Sequence, residues 1–188
     1  MITFSSLRIE EIDTDDVPAE AARHFWFRSD AYTDEKRLIL PQFEHFYRVE
    51  DSSGVVSFCT EHAKTYATNK DTESNAYVID LGDDEEVLGV GEIRYGLTNP
   101  AEYFKNKPFV GFTRTEQKYQ RIGLGFRRLM VMNALAEILY RRPLNSDSLI
   151  SNEAAGVWRK LVRAGLAESY IELDTLQIGG SERFRFLQ

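Results

Sequence analysis

Gln120-Arg121-Ile122-Gly123-Leu124-Gly125 is a glycine-spaced stretch between a strand-like run, Phe109 to Thr115, and an apolar helical run beginning at Phe126. That arrangement suits an anion. The first turn of a helix leaves backbone N–H groups without intrahelical partners, and the macrodipole adds partial positive charge, so a phosphate there meets several donors at once. Gly123 and Gly125 let the backbone approach a ligand with no Cβ in the way. Arg127 and Arg128 come next, in a first turn where the dipole disfavours cations by a few tenths of a kcal/mol each. An anionic ligand would offset that, and Arg121, Arg127 and Arg128 would ring its phosphate; the other reading is arginines that reach solvent while their stems cover apolar neighbours. The loop is neither the dinucleotide fingerprint nor a Walker loop, because a third spaced glycine and a Gly-Lys-Ser/Thr ending are both missing.

Tyr119 to Gly125 resembles the Q/R-x-x-G-x-G/A pyrophosphate loop of the general N-acetyltransferase (GNAT) superfamily. Ser151-Asn152-Glu153-Ala154-Ala155, followed by Trp158, Leu161 and Gly165, resembles that family's later helix, which begins with Asn, carries Ala three residues on, then an aromatic, and ends near Gly. The resemblance implies an α/β fold: a single GNAT-like domain over residues 1–188, with a mixed, mostly antiparallel central sheet flanked by helices. Residues 76–188 would form the CoA-binding core, and 1–75, a strand plus helices, the acceptor side. It further implies acetyl-CoA as cosubstrate, no metal, and transfer of the acetyl group to an amine of a small molecule or protein. A non-catalytic acyl-CoA-binding or interaction module on the same fold is the alternative. Backbone groups around Thr113 to Thr115 would pair with the pantetheine arm. Gln120, Arg121, Ile122, Gly123, Leu124, Gly125 and Phe126, with Arg127 and Arg128, would hold the pyrophosphate, and Asn152 and Trp158 are carried over as cofactor-site residues of the later helix.

In that family a substrate amine attacks the thioester directly, helped by a base and by an acid that protonates the leaving thiolate, so the protein supplies positioning and proton transfer. The chain departs from the pattern at both roles. The usual acid is a Tyr seven residues after the helix-start Asn, where this chain has Arg159, and Trp158 one step earlier cannot protonate a thiolate. The strand before the loop carries no carboxylate in its middle. Asp147 precedes Asn152 at the spacing where some members place a catalytic carboxylate, and Glu92 lies inside the strand-like run Val87 to Tyr95. Each has a plain structural reading as well: a turn or cap for Asp147, a solvated strand residue for Glu92. Tyr170 is the remaining hydroxyl for the acid, or a packing residue. His24, His45 and His62 are scattered and show no metal-ligand spacing.

Composition narrows the classes. A chain of 188 residues with 43% hydrophobic residues can bury a sizeable core. A net charge of −7 and a pI near 5.1 argue against a nucleic-acid partner, which needs a strongly basic face, and would attract a cationic amine. Cys59 is the only cysteine, so there is no intrachain disulfide and no cysteine cluster for zinc. The first residues lack a basic flank and an apolar core, and no apolar run reaches the roughly 18 residues of a membrane span. A cytoplasmic protein without membrane contact is expected, and a homodimer stays open.

The elements that must position the loop follow from periodicity. Leu7 to Ile12 alternates as a strand, and Asp15, Asp16 and Pro18 open a helix through Ala21, Ala22, Phe25 and Trp26. Thr33 to Val49 shows helical spacing, with Pro41 as a possible interruption. Val55 to Ala67 fits a strand or a helix, and the helix is preferred. Asn69 to Asn75 reads as a loop, and Ala76 to Leu81 pairs with Val87 to Tyr95 as a hairpin. Phe126 to Tyr140 is a helix apolar on nearly every side, so it must be covered. Asn152 to Ala164 is an amphipathic helix ended by Gly165, and Ala167 to Leu173 and Arg183 to Leu187 are strands turned at Gly179-Gly180.

Overall fold

Alternation and turn chemistry lay down one long meander. In a computed structural model, which describes residues 7–30, 43, 45–65, 72–96, 106–147, 150–172 and 181–188, β1 (Arg8–Ile12), β2 (Phe46–Glu50), β3 (Val56–Thr65), β4 (Thr72–Leu81), β5 (Val87–Gly96) and β6 (Phe109–Thr115) pair in chain order, each antiparallel to the last. Helix α1 (Ala19–Asp30) follows β1, and helices α2 (Leu124–Tyr140) and α3 (Asn152–Arg163) follow β6. A second, two-stranded sheet joins β7 (Ala167–Glu172) to β8 (Ser181–Phe186). The expected α/β class and the mostly antiparallel sheet flanked by helices are what the chain adopts.

Each face of the six-stranded sheet has its own core, as a period of two requires when both faces are covered. Cys59, Ala76, Val78, Ile93 and Val110 pack with Leu129, Met132, Leu135 and Ala136 of α2. Phe58, Tyr77, Ile79 and Val90 face the other way, toward Ala21 and Phe25 of α1. Phe25, Phe43 and Phe46 meet there as a triad with ring centroids 6.0 to 6.2 Å apart. These aromatics are core.

Two helical expectations are overturned. Within the run Val55 to Ala67, residues Val56–Thr65 form β3, a strand covered on both faces, so its alternation is hidden in a nearly continuous buried run and Val55, Cys59 and His62 fall at helical spacing by coincidence. Phe46 and Tyr47, read as the end of a helix, belong to β2, where Phe46 joins the α1-side core and Tyr47 packs on the α2 side. Leu38, Ile39 and Pro41, like the turn at Gly179-Gly180, lie outside the described residues. Part of the expected loop Asn69 to Asn75 is also strand, since β4 begins at Thr72.

Asn145 fixes how the two sheets meet. Its amide donates to Pro108 O and its carbonyl accepts from the Val110 amide, both at 2.9 Å, so it lies parallel to the start of β6 while also bridging Arg185 of β8. Among the described residues that parallel pairing ends at Val110. Ser146 N then donates to Phe184 O at 2.9 Å, toward β8, so β6 and the 144–147 segment part company.

Candidate functional site

A cleft of about 460 Å³, within the range of small-molecule sites (roughly 300–1,000 Å³), opens where β6 ends and α2 begins. Thr113 and Thr115 of β6, Tyr119, Gln120, Arg121, Gly123, Leu124, Gly125 and Phe126 form one wall. Ser151, Glu153, Ala154, Val157 and Lys160 of α3 form the other.

The start of α2 is bare. Its cap residue, Gly123, has a φ of 99°, no side chain caps the helix, and no acid lies in the first turn. The first intrahelical bond runs from Arg127 N to Gly123 O at 3.1 Å, which leaves the amides of Leu124, Gly125 and Phe126 without helical partners. The two glycines do different things. Gly123 is required by its left-handed backbone, and a Cβ there would meet nothing within 4 Å. Gly125 is helical, and a Cβ on it would sit 3.7 Å from Val157 Cγ2, an ordinary contact, so the fold alone does not demand a glycine. Arg121 also takes a left-handed φ of 69°, a costly conformation for a side-chain-bearing residue.

Arg127 and Arg128 do not ring this cleft. Both are buried, at 2% and 0% exposure. Arg127 pairs with Asp51 (Nε to Oδ2, 2.9 Å) and donates to Ser57 Oγ at 2.6 Å and Val55 O at 2.7 Å. Arg128 Nε pairs with Asp80 Oδ2 at 2.7 Å, and its Nη1 donates to Thr113 Oγ1, Thr115 Oγ1 and Arg114 O. The anions that offset two cations at a helix N-terminus are thus the protein's own carboxylates. Burial pushes the Asp51 carboxyl up, but hydrogen bonds from the Ser53 hydroxyl and amide and the Arg127 guanidinium outweigh it and hold it below its ordinary range. A Cβ on Gly89 would stand 1.9 Å from Arg128 Nη2, so that glycine makes the room the guanidinium occupies.

Trp158 and Asn152 also leave the expected site. Trp158 is 1% exposed and stacks on Phe184 at 5.8 Å with Phe186 edge-on at 5.2 Å, so it is core. Ser151, not Asn152, caps α3, accepting from Ala154 N at 3.2 Å, and Asn152 is exposed outside the cleft lining. Ile122 is 70% exposed at the loop tip and does not line the cleft either. The cations that do face it are Arg121 and Lys160, against the single acid Glu153 among the described lining residues.

No family model matches the chain, and no curated protein matches it. One solved structure to which it is similar, at 13% identity over 98% of each chain and a TM-score of 0.40, is a provisionally named streptothricin acetyltransferase from Bacillus anthracis in complex with acetyl coenzyme A.

The three expected catalytic residues are not gathered at the cleft. Tyr170 lies on β7, paired with Arg183 and separated from β6 by β8 and Asn145, which takes it away from the loop. Asp147 is half-buried at the end of the 144–147 segment. It follows Asn145, the parallel bridge partner of Phe109, by two residues, beyond the point where the strands separate. Glu92, 8% exposed, stands opposite Phe112 on the face toward α1 and pairs with Arg94 (Nε to Oε1, 3.0 Å). It is a buried, paired carboxylate, not the solvated strand residue.

The α3 wall was missed by sequence reasoning, yet its signal was there. Ala155, Trp158 and Leu161 form the buried stripe of an amphipathic helix, so Glu153, Val157 and Lys160, spaced four and three apart, share a neighbouring face. His62 is buried against the Phe43 ring at 5.6 Å, and His45 pairs with Glu11 at 2.8 Å. Among the described residues no group of three or more potential ligands could hold a metal ion, and no helix is long and apolar enough to cross a membrane.

Proposed function

We propose that the chain binds acetyl-CoA in the α2–α3 cleft and transfers its acetyl group to an amine. The observation that carries this reading is the uncapped start of α2, whose unpartnered amides of Leu124, Gly125 and Phe126 open into a cleft edged by Arg121 and Lys160. A pyrophosphate there meets backbone donors, a helix dipole and two cations together. From that point the pantetheine arm would run along Thr115 and Thr113, whose side chains Arg128 holds from beneath. The thioester would then reach the gap between β6 and the 144–147 segment.

In the reaction the amine nitrogen attacks the thioester carbonyl, the C–N bond forms, the C–S bond breaks, and the thiolate of CoA leaves. The nitrogen becomes far more acidic as it bonds to carbon, so a carboxylate reaching it directly or through water suffices to take the proton. Asp147, at the end of the 144–147 segment that forms one lip of the gap, is the group we assign to that role. No side chain of α3 supplies a phenol for the thiolate: Arg159, at the position where the resembled family keeps a Tyr, is turned to Glu182 at 2.6 Å. Protonation of the thiolate by solvent is therefore part of this reading. The same observation favours a second reading, a non-catalytic acyl-CoA-binding module on this fold.

Thermal unfolding with and without acetyl-CoA tests binding, since a ligand at 100 times its dissociation constant adds about 2.7 kcal/mol of stability. Thiol release over an amine panel then separates the enzyme from the binding module. A missing thermal shift overturns the proposal at its first step.

A further inference from the structure

The edge of the sheet at which β6 departs carries a charge pair set up by a bulge. Glu92 stands opposite Phe112 and Ile93 opposite Val110, so Gly111 is an extra residue in β6. Bulges of this kind re-aim side chains and recur beside functional sites. Here the bulged residue is a glycine for a steric reason: a Cβ on it would lie 2.7, 2.8 and 2.9 Å from Arg94 Nε, Cγ and Cδ. The missing side chain lets Arg94 lie across β6 from its place on β5. Its Nε and Nη2 donate to the two oxygens of Glu92 at 3.0 and 3.4 Å. The pair is unequal, because the Glu92 side chain is 10% exposed and that of Arg94 is 46% exposed. The anion is recessed and the cation reaches outward.

A third group points to a ligand independently. Asn75 of β4 lies directly opposite Arg94, shares the α1 face with Tyr77, and is 7% exposed. Its Oδ1 has no hydrogen-bond partner among the described residues. Leaving a buried acceptor unmatched is destabilising, and a bound N–H donor would recover that loss. The strip therefore offers a recessed carboxylate and an unmatched amide oxygen, which suit a three-donor ammonium, beside a guanidinium fork that suits a carboxylate.

We propose, resting on the acetyl-transfer reading above, that the acceptor is a zwitterionic primary amine of the amino-acid class, its ammonium seated on Glu92 and Asn75 and its carboxylate on Arg94. A diamine would set its second cation against Arg94, and an amine with no second charge would forgo the fork. Preference for the carboxylate-bearing acceptor is the signature.

The test compares three pairs differing by one carboxylate, β-alanine with ethylamine, lysine with cadaverine, and ornithine with putrescine. Saturation-transfer NMR on the full chain reads binding directly and needs no coenzyme, while acetylation with acetyl-CoA is read by mass spectrometry. The expected result is binding of each amino acid over its partner, and a kcat/KM at least tenfold higher. Arg94→Gln should shrink that ratio mainly through the amino acid's KM, Arg94→Glu should invert it toward the diamines, and Arg94→Lys should restore part of it. Equal or better binding of the decarboxylated partners by the folded wild-type chain overturns the proposal. An Arg94→Gln effect equal on both members of each pair also overturns it, as a structural role. Failure to bind acetyl-CoA, measured on the same preparation by thermal shift, would instead overturn the acetyl-transfer reading and leave the NMR comparison to decide the acceptor seat.

Discussion

Arg128 Nε lies 2.7 Å from Asp80 Oδ2, and neither side chain is exposed to solvent. The same carboxylate also takes Arg127 Nη1 at 3.4 Å through its other oxygen. One aspartate in the middle of the sheet thus ties down two consecutive arginines at the start of α2 and, through Arg128, the two threonines of β6. Removing one member leaves buried charge uncompensated, which typically costs 3–5 kcal/mol, while replacing a whole pair by packed apolar groups costs far less. Arg128→Met or Asp80→Leu alone should destabilise the chain by about that amount in urea unfolding, and the double change should recover a large part of it. Additive losses would show that the pair is not coupled as drawn.

Gly125 offers a test in which stability and binding move in opposite directions. A Cβ there has room, and an acid in the first turn of a helix is favourable by roughly 0.3–1 kcal/mol, so Gly125→Asp should raise or maintain the melting temperature. The same carboxylate would face the pyrophosphate and should abolish the acetyl-CoA thermal shift. Gly123→Ala should behave differently, because a φ of 99° costs a side-chain-bearing residue about 1–2 kcal/mol. Retained coenzyme affinity in a stable Gly125→Asp chain would remove the phosphate from this loop.

The loop, the hairpin and the last two helices were legible because their signals are local: Gly123 and Gly125 before an apolar run, Gly82 to Glu86 between alternating strands, and Ala155, Trp158 and Leu161 at helical spacing in α3. What was hidden depends on contacts across the chain. Arg127 and Arg128 looked like ligand cations because nothing in their neighbourhood revealed that Asp51 and Asp80, 76 and 48 residues away, would come to meet them. β3 looked helical because a strand buried on both faces loses its alternation. Trp158 matched a family position yet packs on Phe184 and Phe186, partners that only the return of β8 supplies.

With Arg127 and Arg128 buried, the salt sensitivity of coenzyme binding should rest on Arg121 and Lys160. Each change to Ala should weaken acetyl-CoA binding by several-fold at low salt and by less at high salt, since partly exposed charges are screened within about 10 Å at 0.1 M. Calorimetric titration at two salt concentrations reads this. Equal affinities for wild type and both variants would mean that the backbone amides alone hold the ligand.

Asp51 makes a pH prediction whose sign can be worked out. Its carboxyl is held below the ordinary value of 3.8 in the folded chain, so the folded state favours the ionised form more than the unfolded state does. That stability is fully present above the unfolded pKa, about 3.9, and is lost as pH falls through the lower folded value. Unfolding midpoints should therefore drop on acidification below about pH 4, and Asp51→Asn, less stable at neutral pH, should show a shallower drop. An identical acid limb in the variant would assign the loss to other carboxylates.

The two carboxylates beside the strand gap should fail in different ways. Asp147, two residues beyond the Asn145 bridge, is assigned the proton that the amine sheds on attack, whereas Glu92, paired with Arg94, is set to hold the acceptor. Asp147→Asn should then cut kcat by roughly 10²-fold or more with acetyl-CoA affinity unchanged, because general-base loss acts on the chemical step. Glu92→Gln should chiefly raise the acceptor's KM. An amine of pKa near 10 is mostly protonated at neutral pH, so the wild-type rate should climb with pH as free amine accumulates. The Asp147→Asn chain should keep that climb at a lower level, with solvent hydroxide taking over the proton. Full turnover in Asp147→Asn, with the loss in kcat appearing in Glu92→Gln instead, would exchange the two roles and leave Arg94 as the residue that positions the base.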